Sequence, residues 1–156
     1  MRPREGLIMV TVLTALLSVS SVSAAPPVLV EAARDLIESV LGAGTVQAIR
    51  SAGDGSDLLV RWDSPTFLRA ANVGDARQMM YAEAVVVTGT IFGHLRGVRR
   101  VRFTLVRGER MLATGEHIRG QDARMIFAGE LGGPYTPSAP GTPPKPKPSG
   151  GATQEL

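Results

Sequence analysis

The sequence predicts an α+β domain in which two helices pack on one face of an antiparallel sheet. Two apolar-rich segments have the three- and four-residue spacing of helices, and each is followed by two short segments with strand-like composition. The expected element order is therefore helix, strand, strand, helix, strand, strand. Laying both helices on the same sheet face is the economical way to bury their apolar stripes.

Residues 1–24 have the pattern of a secretory signal peptide. Arg2 and Arg4 precede an apolar run from Leu7 to about Val19, and small residues follow up to Ala24. The alternative is an uncleaved anchor, but the run is shorter than the roughly 20 apolar residues that span a bilayer. We therefore expect cleavage near Ala24, export to the periplasm or the extracellular space, and a mature chain without a transmembrane helix.

The absence of cysteine limits how the mature chain can be stabilised and what chemistry it can perform. None of the 156 residues is Cys, which excludes disulfides, thiol chemistry and thiolate metal sites. The length after the signal suits one small domain, predicted over residues 25–131. From residue 132 to 156 prolines are frequent, and this composition predicts a disordered tail that prefers extended polyproline II conformations.

The first half of the domain is predicted to contain one helix and two strands. Val28–Leu41 is amphipathic, and the glycines after it suit a helix exit. Strands are expected at Thr45–Arg50 and Asp57–Trp62. The intervening Gly53–Ser56 has turn composition, and its spacing does not match a calcium-binding EF-hand loop.

The second helix is predicted from Asp75 to Arg96, after a possible helical turn at Thr66–Ala71. Asn72 or Asp75 is a suitable N-cap. The segment Val85–Thr90 is β-branched and contains a glycine, so a strand starting near Ala84 is the alternative. Apolar residues recur at helical spacing over five turns, which favours the helix. They form two stripes, so burial should exceed one face.

Two strands are then expected at Val98–Val106 and Met111–Ile118, joined by a turn at Arg107–Arg110. Leu112 is expected to lie opposite Leu105. Further on, the short apolar segment at residues 125–128 is either a fifth strand or a docking segment.

Catalytic and metal-binding patterns are weak in this sequence. His94 and His117 are too few for a typical zinc site, and neither lies in an HExxH motif. Asp63, Ser64 and a histidine could be imagined as a triad, but no Gly-x-Ser-x-Gly elbow supports it. We therefore expect a non-enzymatic protein without cofactor or metal. A small hydrolase that uses one of the histidines is the remote alternative.

The most distinctive feature is a cluster of arginines around the last hairpin. Residues 96–124 contain eight arginines and three acids, a net charge of +5. The predicted binding residues are Arg99, Arg100, Arg102, Arg107 and Arg110. Guanidinium groups pair with phosphate and carboxylate, so the expected partner is an anionic lipid, a wall polymer or a protein. The alternative is a charged strand face that only prevents aggregation.

Two further expectations concern partners. Nucleic acid is not expected, because the hairpin has almost no aromatic residues on which bases could stack. The second apolar stripe of the long helix offers an alternative function, a self-associating structural or secretion-type subunit. The sequence does not indicate the oligomeric state or the envelope compartment.

The end of the second helix resembles that of BON modules. In that family the second helix runs into a Gly-Val-x-x-Val step, and here Gly97–Val101 follows His94-Leu95-Arg96. The resemblance covers roughly Val28 to Val106. It departs from the family pattern in a longer segment between Trp62 and Asp75 and in an additional last strand. It implies a small periplasmic domain associated with phospholipid or envelope binding. Small ring-building modules of secretion machines share a similar element order.

Overall fold

The computed structural model describes residues 27–137. The predicted signal peptide and the predicted tail from residue 138 onward lie outside these residues. The described chain is of the α+β class, with two helices and a six-stranded, mostly antiparallel sheet. Between residues 27 and 137, no helix combines the length and the apolar character that crossing a membrane requires.

The first helix, α1, spans Pro27–Leu41 and follows the predicted amphipathic pattern. A proline in the first turn costs no hydrogen bond, because the first N–H groups of a helix have no partner within it. The helix buries Ala33 and Ile37 completely. It ends before Gly42, whose φ of 109° is accessible to glycine and disfavoured for other residues.

The second helix, α2, spans Val73–His94 and passes through the β-branched segment. The Asn72 side chain accepts a hydrogen bond from the Asp75 amide at 2.9 Å and caps the helix. The strand alternative at Ala84 is therefore wrong. Within the helix, the hydroxyl of Thr90 donates to the carbonyl oxygen of Val86, four residues earlier, at 2.8 Å.

The six strands lie side by side in chain order. They are β1 (Val46–Ala52), β2 (Asp57–Asp63), β3 (Arg100–Arg107), β4 (Arg110–Ile118), β5 (Arg124–Phe127) and β6 (Gly133–Tyr135). The prediction of an antiparallel sheet is wrong for one pair, because β2 and β3 run parallel. The helix α2 connects them as a crossover, which brings the chain back before β3 begins and lets it run in the same direction as β2.

One face of the central strands supplies the sheet's part of the core. Its buried residues on β2 and β3 are Leu58, Val60, Trp62, Val101, Phe103 and Leu105. The same cluster contains Ile37 of α1 and Met80 and Val87 of α2. The rings of Trp62 and Phe103 are 5.6 Å apart at its centre. The core therefore forms between the helices and this face of the sheet.

The hairpin between β3 and β4 differs from its predicted register. Leu105 lies opposite Ala113, and not opposite Leu112 as expected, because the register shifts between Leu105 and Val106. An irregularity of this kind lets neighbouring residues of one strand point to the same side. Leu112 and Ala113 are accordingly both fully buried.

The sheet also extends into the segment that was predicted to be disordered. The apolar segment at residues 125–128 forms most of β5. The strand β6 lies beyond residue 131, where the domain was expected to end. The guanidinium group of Arg77 stabilises this edge. Its Nη2 donates a hydrogen bond to the Pro134 carbonyl at 2.9 Å. Its Cζ atom lies 5.3 Å from the ring centroid of Phe127 and 5.5 Å from that of Tyr135. A proline is tolerated there because β6 is an edge strand.

Candidate functional site

The second face of the sheet stays open to solvent. Its central part is formed by residues that alternate with core positions: Ala48, Arg50, Asp57, Leu59, Arg61, Arg100, Arg102, Thr104, Thr114, Glu116, Ile118, Arg124 and Ile126. Each is exposed or half-buried. Successive strand residues point to opposite sides, so the strands that build the core also build this face. We call this set the open face.

Positive charge dominates the open face. It has five arginines, from β1, β2, β3 and β5, and only two carboxylates, Asp57 and Glu116, which leaves a net charge of +3. Glu116 Oε2 lies 3.6 Å from Arg100 Nε and 3.5 Å from Arg102 Nε, so this carboxylate is the ion-pair partner of two guanidinium groups. Arg100 Nη1 also lies 3.9 Å from Asp57. Exposed pairs at these distances contribute little to stability.

The centre of the open face is a groove of about 710 Å³. Its floor contains apolar and hydroxyl side chains, among them Leu59, Thr104 and Ile126, of which Ile126 is 57% exposed. Four arginines line it: Arg50, Arg61, Arg102 and Arg124. An apolar floor bordered by guanidinium groups can hold a ligand that carries anionic groups on a less polar body.

The predicted arginine set only partly coincides with this site. Arg100 and Arg102 lie on the open face, with 37% and 51% of their side chains exposed. Arg107 and Arg110 face each other at the turn of the hairpin, about 17 Å from Arg102 and about 23 Å from Arg100 along β3. Arg99 precedes β3 and is exposed. The five residues therefore do not form one cluster.

The turn arginines have their own acidic partners. Arg107 Nη1 donates to Asp63 Oδ1 at 2.9 Å, and the amide of Gly108 donates to the other carboxylate oxygen at 3.1 Å. Arg110 Nη2 lies 3.9 Å from Glu130. The contact between Arg107 and Asp63 fixes the turn to the end of β2, so the guanidinium group of Arg107 stabilises the fold.

Sequence reasoning did not select Arg50, Arg61 and Arg124 as binding residues. Arg50 and Arg61 are far from the hairpin in the chain, and Arg124 lies beyond its second strand. Arg61 also donates through Nε to Gln47 Oε1 at 3.0 Å. Within residues 27–137, neither Arg50 nor Arg124 has an acidic partner within 4 Å. The alternation of each predicted strand placed Arg61 opposite its core residues. The alternation within a strand does not indicate which strands are neighbours in the sheet.

Arg119 shows that charge in this region also has a purely structural use. Its guanidinium donates to the carbonyl oxygens of Phe92, Leu95 and Val98 at 2.8 to 3.0 Å. The carbonyls of Phe92 and Leu95 lie at the C-terminal end of α2, where backbone acceptors lack partners within the helix, and that of Val98 lies in the segment leading to β3. This arginine is therefore occupied in joining the helix end to the end of β4.

Sequence analysis also did not single out Glu83, a buried carboxylate on α2. It is 6% exposed. Oε1 accepts a hydrogen bond from Trp62 Nε1 at 2.7 Å, and Oε2 accepts from the hydroxyls of Ser64 and Thr66 at 3.1 and 2.6 Å. The amide of Thr66 adds a further bond at 3.3 Å. This network joins α2 to the segment that follows β2.

The imagined triad is not assembled. Ser64 is fully buried and donates to Glu83, whereas Asp63 binds Arg107. The two ring nitrogens of His117 contact the Thr88 hydroxyl and the carbonyl oxygen of Gln121. Burial lowers the pKa of His117 below its usual value, which favours the neutral ring.

His94 is exposed, and its Nδ1 lies 2.9 Å from the Thr90 carbonyl oxygen one turn earlier in the helix. In the described part of the chain, no three His, Asp or Glu side chains converge as metal ligands would.

Comparisons with known proteins give no match: no family model, no curated protein and no solved structure is significantly similar to this chain. The resemblance to BON modules therefore depends on element order and on the step at Gly97–Val101 alone. The open face is therefore the feature of this chain from which a function can be inferred.

Proposed function

We propose that this protein is an exported, non-enzymatic binding module whose open face holds an anionic component of the cell envelope. The component carries phosphate or carboxylate groups, as lipid headgroups, wall polymers and acidic protein surfaces do. Export is part of the proposal and depends on the signal-like pattern of residues 1–24. Two helices on one side of the sheet leave the other side for the ligand.

One observation carries this proposal: five arginines and two carboxylates share a solvent-exposed sheet face with an apolar floor. If the charges of this face only prevented aggregation, an equal number of positive and negative side chains would serve as well, and no groove would be required. The excess of guanidinium groups, with Arg50 and Arg124 unpaired within the described chain, supports a role in holding anionic groups. Each basic residue near an anionic surface contributes about 1 kcal/mol to binding.

The test is binding of the purified protein to vesicles of anionic phosphatidylglycerol, measured by sedimentation at several salt concentrations. We expect binding that weakens as salt rises, and little binding to neutral phosphatidylcholine. The double variant Arg102→Gln with Arg124→Gln removes two positive charges from the groove. We expect it to bind roughly 30-fold more weakly, because about 2 kcal/mol is lost.

Two further variants make the test specific to the open face. Arg69→Gln with Arg96→Gln removes the same charge from exposed positions outside it, so this variant should retain most of the binding. Glu116→Gln removes the carboxylate between Arg100 and Arg102 and should bind roughly 5-fold more tightly. Equal weakening by both double variants would show that only overall charge matters and would contradict the proposal.

A soluble polyanion separates the possible sources of the anionic group. If inorganic polyphosphate competes with the vesicles, the site recognises phosphate groups wherever they occur. If it does not, the lipid surface itself is required. A protein that binds neither vesicles nor polyphosphate would contradict an anion-binding role of this face.

Self-association is a second candidate function, and the surface of α2 favours it. Val86 is 55% exposed on the side of the helix that faces away from the core. An apolar helix face in contact with water is a common interface between subunits. Sedimentation velocity over a wide concentration range tests this candidate, and a monomer at every concentration would contradict it. The hydrolase alternative gains no support from the positions of Asp63 and Ser64.

A further inference from the structure

The outward side of α2 carries no charge over four turns. Between Gln78 and Gly93 the helix contains a single ionisable acid, Glu83, and it is buried. The exposed positions of this stretch are Gln78, Ala82, Val86, Gly89 and Gly93. A helix on the surface of a soluble domain normally has a polar outer face. From Ala82 to Gly93, the exposed positions of this helix are all small or apolar, as they are in a helix that another segment covers.

A groove of about 400 Å³ runs beside this surface, and the end of the described chain forms part of its wall. The groove is lined by the helix residues Tyr81, Ala82 and Val86 and by Tyr135 and Pro137 from the segment after β5. The rings of Tyr81 and Tyr135 are 4.9 Å apart. The chain therefore leaves β6 with a proline already placed against α2, next to two aromatic rings.

A second groove, also of about 400 Å³, lies on the other flank of the same helix surface. Both grooves share Ala82 and Val86, and the second one continues to Leu41 of α1 and to Pro65. Because Ala82 is small and exposed, a chain can cross the helix there at close range. The two grooves thus offer a continuous path over α2.

The segment that follows Pro137 fits this path in length and chemistry. Residues 138–144 read Ser-Ala-Pro-Gly-Thr-Pro-Pro and carry no charge, whereas the lysines begin at Lys145. Seven residues in polyproline II conformation reach about 22 Å, roughly twice the diameter of a helix. Proline-rich chains in this conformation dock in grooves with aromatic walls at a low entropic cost.

We propose that residues 138–144 dock across the outward face of α2 and cover Ala82 and Val86 within the same molecule. Tyr81 and Tyr135 receive the first prolines, and the chain then passes over the small Ala82 side chain. The site takes a proline-rich peptide, and this chain supplies one. Docking leaves the open face free and is independent of the function proposed for it. It also covers the surface that self-association would use.

A spin label on the tail tests this docking in the full chain. Thr142→Cys introduces the only cysteine, because the sequence has none, and a nitroxide on it broadens the NMR signals of nearby amides. We expect loss of the Ala82 and Val86 amide signals and retention of those of Arg102 and Thr104 on the open face. Equal broadening on both sides of the domain would contradict docking.

Three controls separate the possible occupants and effects. Val86→Glu should remove the broadening on α2, whereas Ile126→Glu, at a residue of the open face that is 57% exposed, should retain it. Pro140→Gly with Pro143→Gly changes only the tail and should weaken the broadening without affecting the domain. Persistent broadening in Val86→Glu, or in the proline variant, would contradict the proposal.

A mixture of isotope-labelled chain without the cysteine and spin-labelled chain without the isotope tests for a second copy. We expect no broadening in the mixture, because the tail docks on its own domain. Broadening of Ala82 and Val86 in the mixture would show that the tail docks on another molecule and would overturn the intramolecular proposal.

Discussion

The two faces of the sheet are made from the same strands but have opposite chemistry. On β3, Val101, Phe103 and Leu105 are buried against the helices, whereas Arg100 and Arg102 between them point to solvent. The covered face determines how stable the domain is, because burial of apolar surface is the dominant favourable term in folding. The open face contributes little to stability, and its side chains are therefore available to hold a ligand.

Two glutamates illustrate the same difference. Glu83, on the covered side, is buried and satisfied by four hydrogen-bond donors, none of which is a cation. Glu116, on the open face, lies between two arginines at distances longer than good hydrogen bonds. A buried carboxylate with fixed partners stabilises the fold, whereas an exposed one chiefly sets the local charge.

The largest expected difference is between two neighbouring residues of β3. Phe103→Ala should lower the free energy of unfolding by about 3–5 kcal/mol, because it removes a buried ring that packs on Trp62. Arg102→Ala should change it by no more than about 0.5 kcal/mol. Urea unfolding of both variants measures the contrast. A similar loss in both would mean that the open face also supports the fold.

An intermediate effect is expected at Glu83. Glu83→Ala leaves the Trp62 indole N–H and the Ser64 hydroxyl without their acceptor, and it should cost roughly 3 kcal/mol. Glu83→Gln keeps one oxygen acceptor and should cost less. Thermal and urea unfolding give both values, with Glu116→Gln as the exposed control that stays near the parent. A loss below about 1 kcal/mol in Glu83→Ala would contradict the importance of this network.

The smallest effect concerns pH and His117. Burial holds the pKa of His117 below its usual value of about 6.5 in the folded state. The unfolded chain therefore binds more protons below that pH, so stability is greatest above pH 6.5 and falls as the pH drops through the folded pKa. Unfolding measured between pH 7.5 and 5.5 should show this decline.

Two variants assign that decline to a residue. His117→Gln should flatten it, because the titrating group is absent. His94→Gln replaces an exposed histidine and should retain it. A decline that persists in His117→Gln would have to come from other groups.

Local pattern was sufficient to predict both helices and the first four strands. The spacing of apolar residues gave both helices, including the β-branched part of α2, and the alternation of β3 placed its arginines on the side opposite its core residues. These features depend on residues within a few positions of one another, where the helical and strand periods are read directly. The N-cap at Asn72 is a further local feature of this kind.

Neighbour relations could not be read in the same way. The parallel pairing of β2 with β3 follows from the crossover through α2, and the short strand β6 forms because β5 offers an edge and Arg77 holds Pro134. Arg50, Arg61 and Arg124 become one site with Arg102 only when the five strands from β1 to β5 are aligned. Glu83 is likewise defined by partners about twenty residues away.

The amino-acid sequence by itself therefore determined the class of the fold, the course of both helices and the first four strands, and the positive charge of the hairpin region. Only the tertiary structure decided which arginines share a surface, which carboxylate is buried, and where the chain passes α2 after β6. The physical reason is distance along the chain. Periodicity reports the side to which a residue points, whereas strand order and register, which bring distant residues together, depend on packing of the whole domain.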